Sequence, residues 1–473
     1  MSNTTSNSPP GEKISQAPST QSDPEQLHGK ILDEDESHEV FQRGGAVNFR
    51  GVGWVRCTLI FLKVLFATGV LSIPSAMVSL GAVGGAFSVI GWGGLNTYTA
   101  IIQGDFRNRH RGCHSIADMA HEAGGPVLRE IVGGLFIIAY VLCSGSGILG
   151  VSIAFNTFSS HGTCTVWFAL VSAILTAGAA SVRKFEKLSF LTFAGFISIF
   201  VAVLMIVIAV TLRDRPAAAP QTGAFELGYY AIPPTVTFAA GMTATCTIFI
   251  SSAGTSAFLP VISEMREPKD YRKAVFVAMG FVTSSYLCFA LVVYAWCGEW
   301  VASPSLGSAG HTMQIAAYAV GFIGLIVSAC LYLHVASKYV FVRILRHSKH
   351  LQANTFVHWG TWLGCIVGLC AVAFILAESI PIFNYLVAIT GSVCFAPLAI
   401  MLPGYLWVYD HPHWRSGGAE KMIVYYLHVG MIALGAFICI GGTYGVAIEI
   451  KGAYDSGLIG GAFSCADNSA SGH

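Results

Sequence analysis

Long apolar runs alternate with short polar loops along nearly the whole chain after about residue 45. A helix needs about 20 apolar residues to cross the hydrocarbon core of a bilayer. Eleven runs approach or exceed that length, and each is predicted to form a membrane-spanning helix: 52–80, 82–104, 127–156, 164–181, 188–212, 231–262, 274–297, 309–345, 356–377, 381–409 and 421–449. The pattern therefore predicts an all-α integral membrane protein.

The composition supports this fold class and excludes several functions. Hydrophobic residues make up 54% of the 473 positions and charged residues only 11%, against about 25% charged in soluble proteins. No basic patch interleaved with aromatic residues predicts nucleic-acid binding. The 13 Cys lie mostly inside apolar runs and lack the Cys/His spacing of a metal site. We expect no metal and no cofactor.

Residues 1–45 differ in kind from the rest. They are rich in Ser, Thr, Pro and acidic residues and contain the run Asp33–Glu36. This segment has too little apolar surface to offset the entropy lost when the chain becomes ordered. We therefore expect a disordered tail. Lys13, Lys30 and the Ser/Thr residues are candidate targets of ubiquitin and phosphorylation machinery.

The charges of the loops give the orientation. If the N-terminus is cytosolic, basic residues concentrate in the predicted cytosolic loops, at 107–111, 129, 183–187, 266–273, 343–349 and 415–421. The predicted outer segments carry only Arg213, Arg215 and Lys451. This asymmetry satisfies the positive-inside rule and predicts an odd number of spans, with an extracytosolic tail at 450–473.

The first run carries residues that interrupt a helix. Its centre, Phe66–Pro74, contains Thr68, Gly69 and Pro74. A broken helix leaves backbone N–H and C=O groups unpaired. Inside a membrane such a break is stable only where it is buried in protein or lines a polar cavity. The alternative is a simple proline kink with a close-packing glycine.

The sixth run repeats this arrangement. Ser251, Ser252 and Gly254 are followed by Pro260, much as Pro74 follows Gly69. Five spans separate the two breaks, so they enter the membrane from opposite sides. This predicts a five-plus-five inverted repeat, about 51–212 and 231–409, with broken helices 1 and 6 and an extra C-terminal helix at 421–449. Residues 46–449 would form one transporter domain.

Three motifs resemble the amino acid/auxin permease family, and within it the fungal neutral amino acid permeases. They are Gly69–Pro74, the stretch Pro260–Ala274 after the second break, and His334–Arg343 at the end of the eighth run. The resemblance covers about 47–448. It implies secondary active uptake of amino acids on a fold built from inverted repeats. It also favours a proton over sodium as the coupling ion.

A neutral amino acid needs N–H donors for its carboxylate and carbonyls for its ammonium. Unwound backbone at the two breaks could supply both, and further side chains could line the substrate's own side chain. The candidates are Thr68, Gly69, Val70, Ser251, Ser252 and Gly254 at the breaks, with Tyr140, Ser144, Tyr332 and Asn384 from other spans. For these last four, ordinary helix packing is the favoured alternative. The absence of charge near the breaks favours neutral, aromatic and aliphatic substrates.

Ionisable residues inside a membrane are candidates for coupling or gating. Lys63 could respond to a proton or replace a sodium ion, although snorkelling to the cytosolic face is slightly favoured. His334 could titrate, although a neutral, hydrogen-bonded histidine is favoured. Glu264 could form a gate with Arg266 or another cytosolic base. Sodium coupling would need oxygen ligands, of which Ser328 could supply one.

Other classes of function stay open as alternatives. His110, His114, Asp118 and His121 cluster in one cytosolic loop, but their spacing also fits an interfacial amphipathic helix, and we expect no enzyme. A vacuolar exporter, a nutrient sensor on a transporter fold, and auxin or polyamine transport remain alternatives to import at the plasma membrane. The sequence does not show whether Cys164, Cys297 and Cys465 form a disulfide.

Overall fold

A computed structural model describes residues 51–182, 185–346, 348–351, 353–380, 382–456 and 462–468. The helices of this part of the chain are α1 Trp54–Leu65, α2 Ile73–Arg109, α3 Ile116–Ser159, α4 Thr165–Ala180, α5 Phe185–Thr211, α6 Phe238–Ser252, α7 Phe258–Ser263, α8 Tyr271–Cys297, α9 His311–Leu345, α10 Phe356–Ser379, α11 Phe383–Thr390, α12 Leu402–Asp410 and α13 Ala419–Asp455. A π-helical segment, Gly391–Met401, joins α11 to α12. The predicted tail at 1–45 lies outside the described residues.

The all-α membrane architecture is confirmed. Across the described ranges, nine helical segments are long and apolar enough to cross a membrane, and Thr165–Ala180 is a shorter apolar helix. The regular β-structure of these ranges is limited to one isolated bridge, between Val52 and Met265. Large apolar side chains such as Phe87, Phe190 and Phe356 are strongly exposed, as lipid-facing positions of a spanning bundle require.

The exact number of spans stays a prediction, because Trp54–Arg109 counts as one segment. Its backbone nevertheless leaves helical geometry at Gly81, with φ 72°. A Cβ there would lie 2.7 Å from the carbonyl oxygen of Ala231, and the amide of Ala82 donates to Tyr230 O at 3.0 Å. The first two apolar runs are therefore separated at Gly81, where no side chain fits.

Two of the predicted spans begin at a different residue from the helices of the structure. Residues 231–237 of the sixth run are not helical, and α6 begins only at Phe238. The helix that contains the third run begins earlier than predicted, at Ile116, because Ser115 and Asp118 form a capping box there. It changes direction at Gly125, where φ is 75°. Residues 116–124 therefore form a short helix before the apolar span.

The long helix α9 packs against α3 and α5, while α2 packs against α6 and α8. Glycines permit the closest of these approaches. A Cβ on Gly324 of α9 would lie 2.7 Å from the carbonyl oxygen of Gly195 and 2.3 Å from Cγ1 of Ile199, both on α5. The α5–α9 interface therefore leaves no room for a methyl group.

Of the three cysteines considered for a disulfide, Cys164 and Cys465 are bonded and Cys297 is a free, buried thiol. The Cys164–Cys465 disulfide holds residues 462–468 against the start of α4. Thr165 Oγ1 donates to Ala466 O at 2.7 Å, and Asn156 Nδ2 donates to Asn468 Oδ1 at 2.7 Å. The segment after α13 is thus tied to the ends of α3 and α4.

We expect Gly324→Ala to lower the thermal unfolding temperature, because its methyl group must push α5 away from α9. Overpacking of this kind costs about 1–3 kcal/mol. Gly360→Ala is the matched control, since a Cβ there meets no atom within 4 Å. The measurement is thermal unfolding of purified protein followed by size-exclusion chromatography. Equal unfolding temperatures for the two variants would contradict the close approach.

Candidate functional site

The chain leaves helical geometry at both predicted breaks. After Leu65, Phe66 (φ −78°, ψ 70°) and Ala67 (φ −123°, ψ −141°) lead into a 3₁₀ turn, Thr68–Ser72. After Ser252, Ala253 (φ −85°, ψ 0°) leads into a second 3₁₀ turn, Gly254–Ala257. Both breaks interrupt the backbone hydrogen-bond ladder of a spanning helix, so both free polar groups in the interior.

The two breaks lie in direct contact. Ser251 Oγ lies 3.1 Å from the carbonyl oxygen of Gly69 and 3.0 Å from that of Thr247, so its one proton can serve either carbonyl. A Cβ on Gly69 would lie 3.0 Å from that same Oγ and 3.1 Å from Ser251 Cα. Glycine at position 69 therefore lets the backbones of the two broken helices meet, although 182 positions separate these residues in the chain.

Three buried tyrosine hydroxyls satisfy carbonyls that the breaks release. Tyr332 OH donates to Val64 O at 2.9 Å. Tyr286 OH lies 2.5 Å from Leu65 O and 3.3 Å from Ser251 O, so its one proton can serve either carbonyl. At the second break, Tyr140 OH lies 3.2 Å from Gly254 O and 2.8 Å from Ser256 Oγ. Sequence reasoning named Tyr140 and Tyr332 but missed Tyr286.

A small cavity of about 30 Å³ lies where the breaks meet. Five predicted site residues line it: Thr68, Gly69, Ser251, Gly254 and Tyr332. Seven further lining residues were not predicted: Leu65, Cys143, Ser146, Ile250, Val387, Thr390 and Phe395. Cys143 lies one helical turn after Tyr140, and that spacing could have indicated it. The π-helical segment that carries Phe395 had no signal in the sequence.

The other predicted binding residues are absent from this lining. Val70 is buried beside the first break. Ser252 accepts a hydrogen bond from Asn96 Nδ2 at 2.8 Å, and Ser144 Oγ donates to Ala329 O at 3.2 Å. For Ser144 the structure therefore shows the packing role that was weighed as the alternative.

Asn384 also lies outside the cavity lining, on α11. Its Nδ2 donates to Ser75 Oγ at 2.8 Å, and Ser75 stands at the start of α2, just beyond the first break. This hydrogen bond links α11 to the start of α2 on the side of the cavity that faces the predicted outside.

Lys63 is completely buried, so the expectation that it snorkels to the cytosolic face is wrong. Its Nζ donates to Ser328 Oγ at 2.7 Å and approaches Phe66 O at 3.5 Å. Ser328 in turn donates to Gly324 O at 2.8 Å. The charge is held inside because α9 brings an acceptor hydroxyl to the end of α1. Two predicted coupling residues thus form one hydrogen-bonded pair.

Glu264 forms a buried ion pair with Lys338 of α9, not with Arg266. Backbone hydrogen bonds add to this contact, since Val52 N donates to Glu264 O at 3.0 Å and Arg266 N donates to Val52 O at 2.9 Å. These contacts link the segment after the second break to the start of α1 and to α9. His334 lies elsewhere, with Nδ1 3.4 Å from Ala180 O and its ring against Trp362. It is absent from the cavity lining.

The chain is similar in sequence to known transporters. A family model described as "Transmembrane amino acid transporter protein" matches residues 50–448. A "Transmembrane transporter" of Gibberella moniliformis is 50% identical over 448 residues, covering 94% of each chain. The "N amino acid transport system protein" of Neurospora crassa is 28% identical over 450 residues, covering 93% of each chain.

A solved structure, "Crystal structure of MhsT in complex with L-phenylalanine", is similar in fold. The TM-score is 0.51 at 13% sequence identity, over 85% of this chain and 98% of that one. A likeness at this level of identity shows a shared helical fold and nothing finer.

We expect Tyr286→Phe to loosen the first break, because Leu65 O and Ser251 O lose a shared hydroxyl donor, although Leu65 O keeps the amide of Ala67. A typical intramolecular hydrogen bond contributes about 0.5–1.5 kcal/mol to stability. Amide hydrogen exchange of residues 64–70 should become faster, and the unfolding temperature should fall. Tyr318→Phe is the matched control, a buried hydroxyl deletion on α9 away from the breaks. An unchanged rate of amide hydrogen exchange at residues 64–70 in Tyr286→Phe would show that this hydroxyl does not stabilise the first break.

Proposed function

The chain belongs to the transmembrane amino acid transporter protein family, and we propose that it imports neutral aromatic and aliphatic L-amino acids by alternating access. The observation that carries this proposal is the contact of the two helix breaks at Gly69 and Ser251 beside a common cavity. Backbone groups of unwound helices can bind a carboxylate and an ammonium without a buried counter-charge. We place the protein in the plasma membrane with its N-terminus in the cytosol.

The lining of the cavity favours neutral substrates. Among its described lining residues, none carries an ionisable acid or base of the Asp, Glu, Lys, Arg or His type. A charged substrate side chain would lose its hydration there without gaining a partner, which is costly in a low-dielectric interior. Leu65, Ile250, Val387 and Phe395 supply apolar surface for an aliphatic or aromatic side chain.

The titles of one relative and one protein of similar fold agree with transport of amino acids. The Neurospora crassa relative is titled "N amino acid transport system protein", and the MhsT structure is titled as a complex with L-phenylalanine. Phenylalanine is a neutral aromatic amino acid, and leucine is a fitting aliphatic counterpart.

The small volume of the cavity fits a closed intermediate of alternating access, and we propose that contacts on either side of it act as gates. Its volume of about 30 Å³ admits little more than a water molecule. Substrate entry therefore requires the contact between Asn384 and Ser75 to open, and release to the other side requires the Glu264–Lys338 pair to separate. Opening one side at a time is the mechanism we propose.

We propose a proton, and not sodium, as the coupling ion. A sodium site at the first break would need several free oxygen ligands. Val64 O, Leu65 O and Phe66 O already face donors from Tyr332, Tyr286 and Lys63. When Lys63 carries its proton, its buried ammonium would repel a second cation at the same place.

Radiolabelled uptake of phenylalanine and leucine into permease-deficient yeast tests the function. Protonophore should abolish uptake, and Gly69→Ala should lower it by about tenfold or more, because the added methyl group forces the breaks apart. Gly94→Ala, where a Cβ meets no atom within 4 Å, should leave uptake intact. If the wild-type chain reaches the cell surface and moves neither amino acid, neutral import is wrong. A vacuolar exporter or a sensor would then lead.

Lys63→Met in proteoliposomes tests the coupling ion. We expect wild-type accumulation to follow a pH gradient and to be unchanged when choline replaces sodium. The variant should lose accumulation driven by the pH gradient while keeping exchange of labelled for unlabelled substrate, because substrate binding and proton coupling use different groups. Lys269→Met, at an exposed position, is the control. Sodium-dependent accumulation by the wild type would overturn proton coupling.

A further inference from the structure

A second cavity, of about 590 Å³, lies on the face that the positive-inside rule places in the cytosol. It is bounded by the end of α2, the first turns of α3 and the residue after α9. Its lining is dominated by basic side chains, and the full set is Arg109, His110, Arg111, Gly112, Cys113, Asp118, His121, Glu122, Arg129 and Arg346. The transport site described above shares none of these residues.

Two of the lining guanidinium groups are fixed in place by carboxylates. Arg109 donates from Nε and Nη2 to Asp410 Oδ2 at 2.9 and 2.5 Å. Arg346 donates from Nη1 to Asp118 Oδ1 at 2.5 Å and from Nη2 to Gly112 O at 3.1 Å. A guanidinium has five N–H donors, so both groups keep donors beyond these bonds. Their side chains are 47% and 31% exposed.

Over the whole lining, four arginines outnumber the two carboxylates Asp118 and Glu122. Two further carboxylates outside the lining, Asp410 and Glu130, also bind Arg109 and Arg129. Arg111 completes the set of lining arginines. Arg129 bonds its sequence neighbour Glu130 at 3.3 Å and is 38% exposed. Oriented guanidinium groups of this kind match the oxygens of phosphate through paired hydrogen bonds.

The lining of the cavity reaches the start of the apolar span of α3 at Arg129. Val127 and Ile131 stand two positions on either side of Arg129 on α3, and they are 72% and 55% exposed. Exposed apolar side chains at the start of a spanning helix face acyl chains or the headgroup region. A basic pocket at this depth on the cytosolic side is suited to the headgroup of an anionic lipid.

We propose that this pocket binds a phosphate-bearing anion, supplied either by the headgroup of an anionic phospholipid or by a soluble phosphate compound. The anion would accept hydrogen bonds from the fixed guanidinium groups of Arg109 and Arg346 and be held further by Arg111 and Arg129. Because the lining comes from α2, α3 and the end of α9, the bound anion ties these three elements together.

Binding to the purified full-length protein in neutral detergent tests the proposal. The probes are short-chain phosphatidylinositol bisphosphate, its free headgroup inositol trisphosphate, and short-chain phosphatidylcholine, each titrated by microscale thermophoresis. Arg111→Gln/Arg129→Gln removes two charges from the pocket. Lys269→Gln/Arg415→Gln removes two charges from exposed cytosolic-side positions outside it. We expect affinity for the bisphosphate lipid to fall about tenfold in the pocket variant, since charge-assisted hydrogen bonds are lost, and to stay unchanged in the control.

The probes also identify the source of the phosphate. Equal affinity for lipid and free headgroup assigns a soluble phosphate compound, whereas clearly tighter lipid binding assigns a membrane lipid. Equal loss in both double variants, similar binding of phosphatidylcholine, or no binding by the wild type would each overturn the proposal. Arg129→Gln alone replaces the double variant if that one is not monodisperse, because Arg129 bonds its sequence neighbour Glu130.

Discussion

Unpaired backbone groups in apolar surroundings are the constraint on which this structure depends. Each helix break releases carbonyls that water cannot reach, and each orphaned group costs free energy of the order of a lost hydrogen bond. Tyr332, Tyr286 and Tyr140 reach these carbonyls from α9, α8 and α3. The breaks therefore exist only because three neighbouring helices present a hydroxyl at the right depth.

The same constraint links the breaks to each other. Gly69 and Ser251 meet without a side chain between them, so polar groups from both broken helices border one cavity. Polar groups that would bind a zwitterion in this cavity need other hydrogen-bond partners when the zwitterion is absent. Hydroxyl donors achieve this reversibly, since a hydroxyl can rotate away from one carbonyl toward another.

Buried charge follows the same logic at two positions along α9. Lys63 donates to the hydroxyl of Ser328, and Glu264 forms an ion pair with Lys338. Removing one member of the buried ion pair leaves an uncompensated charge and costs about 3–5 kcal/mol. These pairs therefore couple the position of α9 to the first break and to the segment after the second break. Movement of α9 relative to them would open or close the cavity.

The sequence alone determined the helical membrane fold, the two breaks and the family, because apolar length, Gly and Pro act locally along the chain. It could not determine partners such as Lys63 with Ser328 or Tyr286 with Leu65, which lie 265 and 221 positions apart. Which side chain reaches a break depends on how each helix is rotated and how closely it packs. Lys63 is buried because α1 turns this side chain toward Ser328 of α9, and only the tertiary structure decided that orientation.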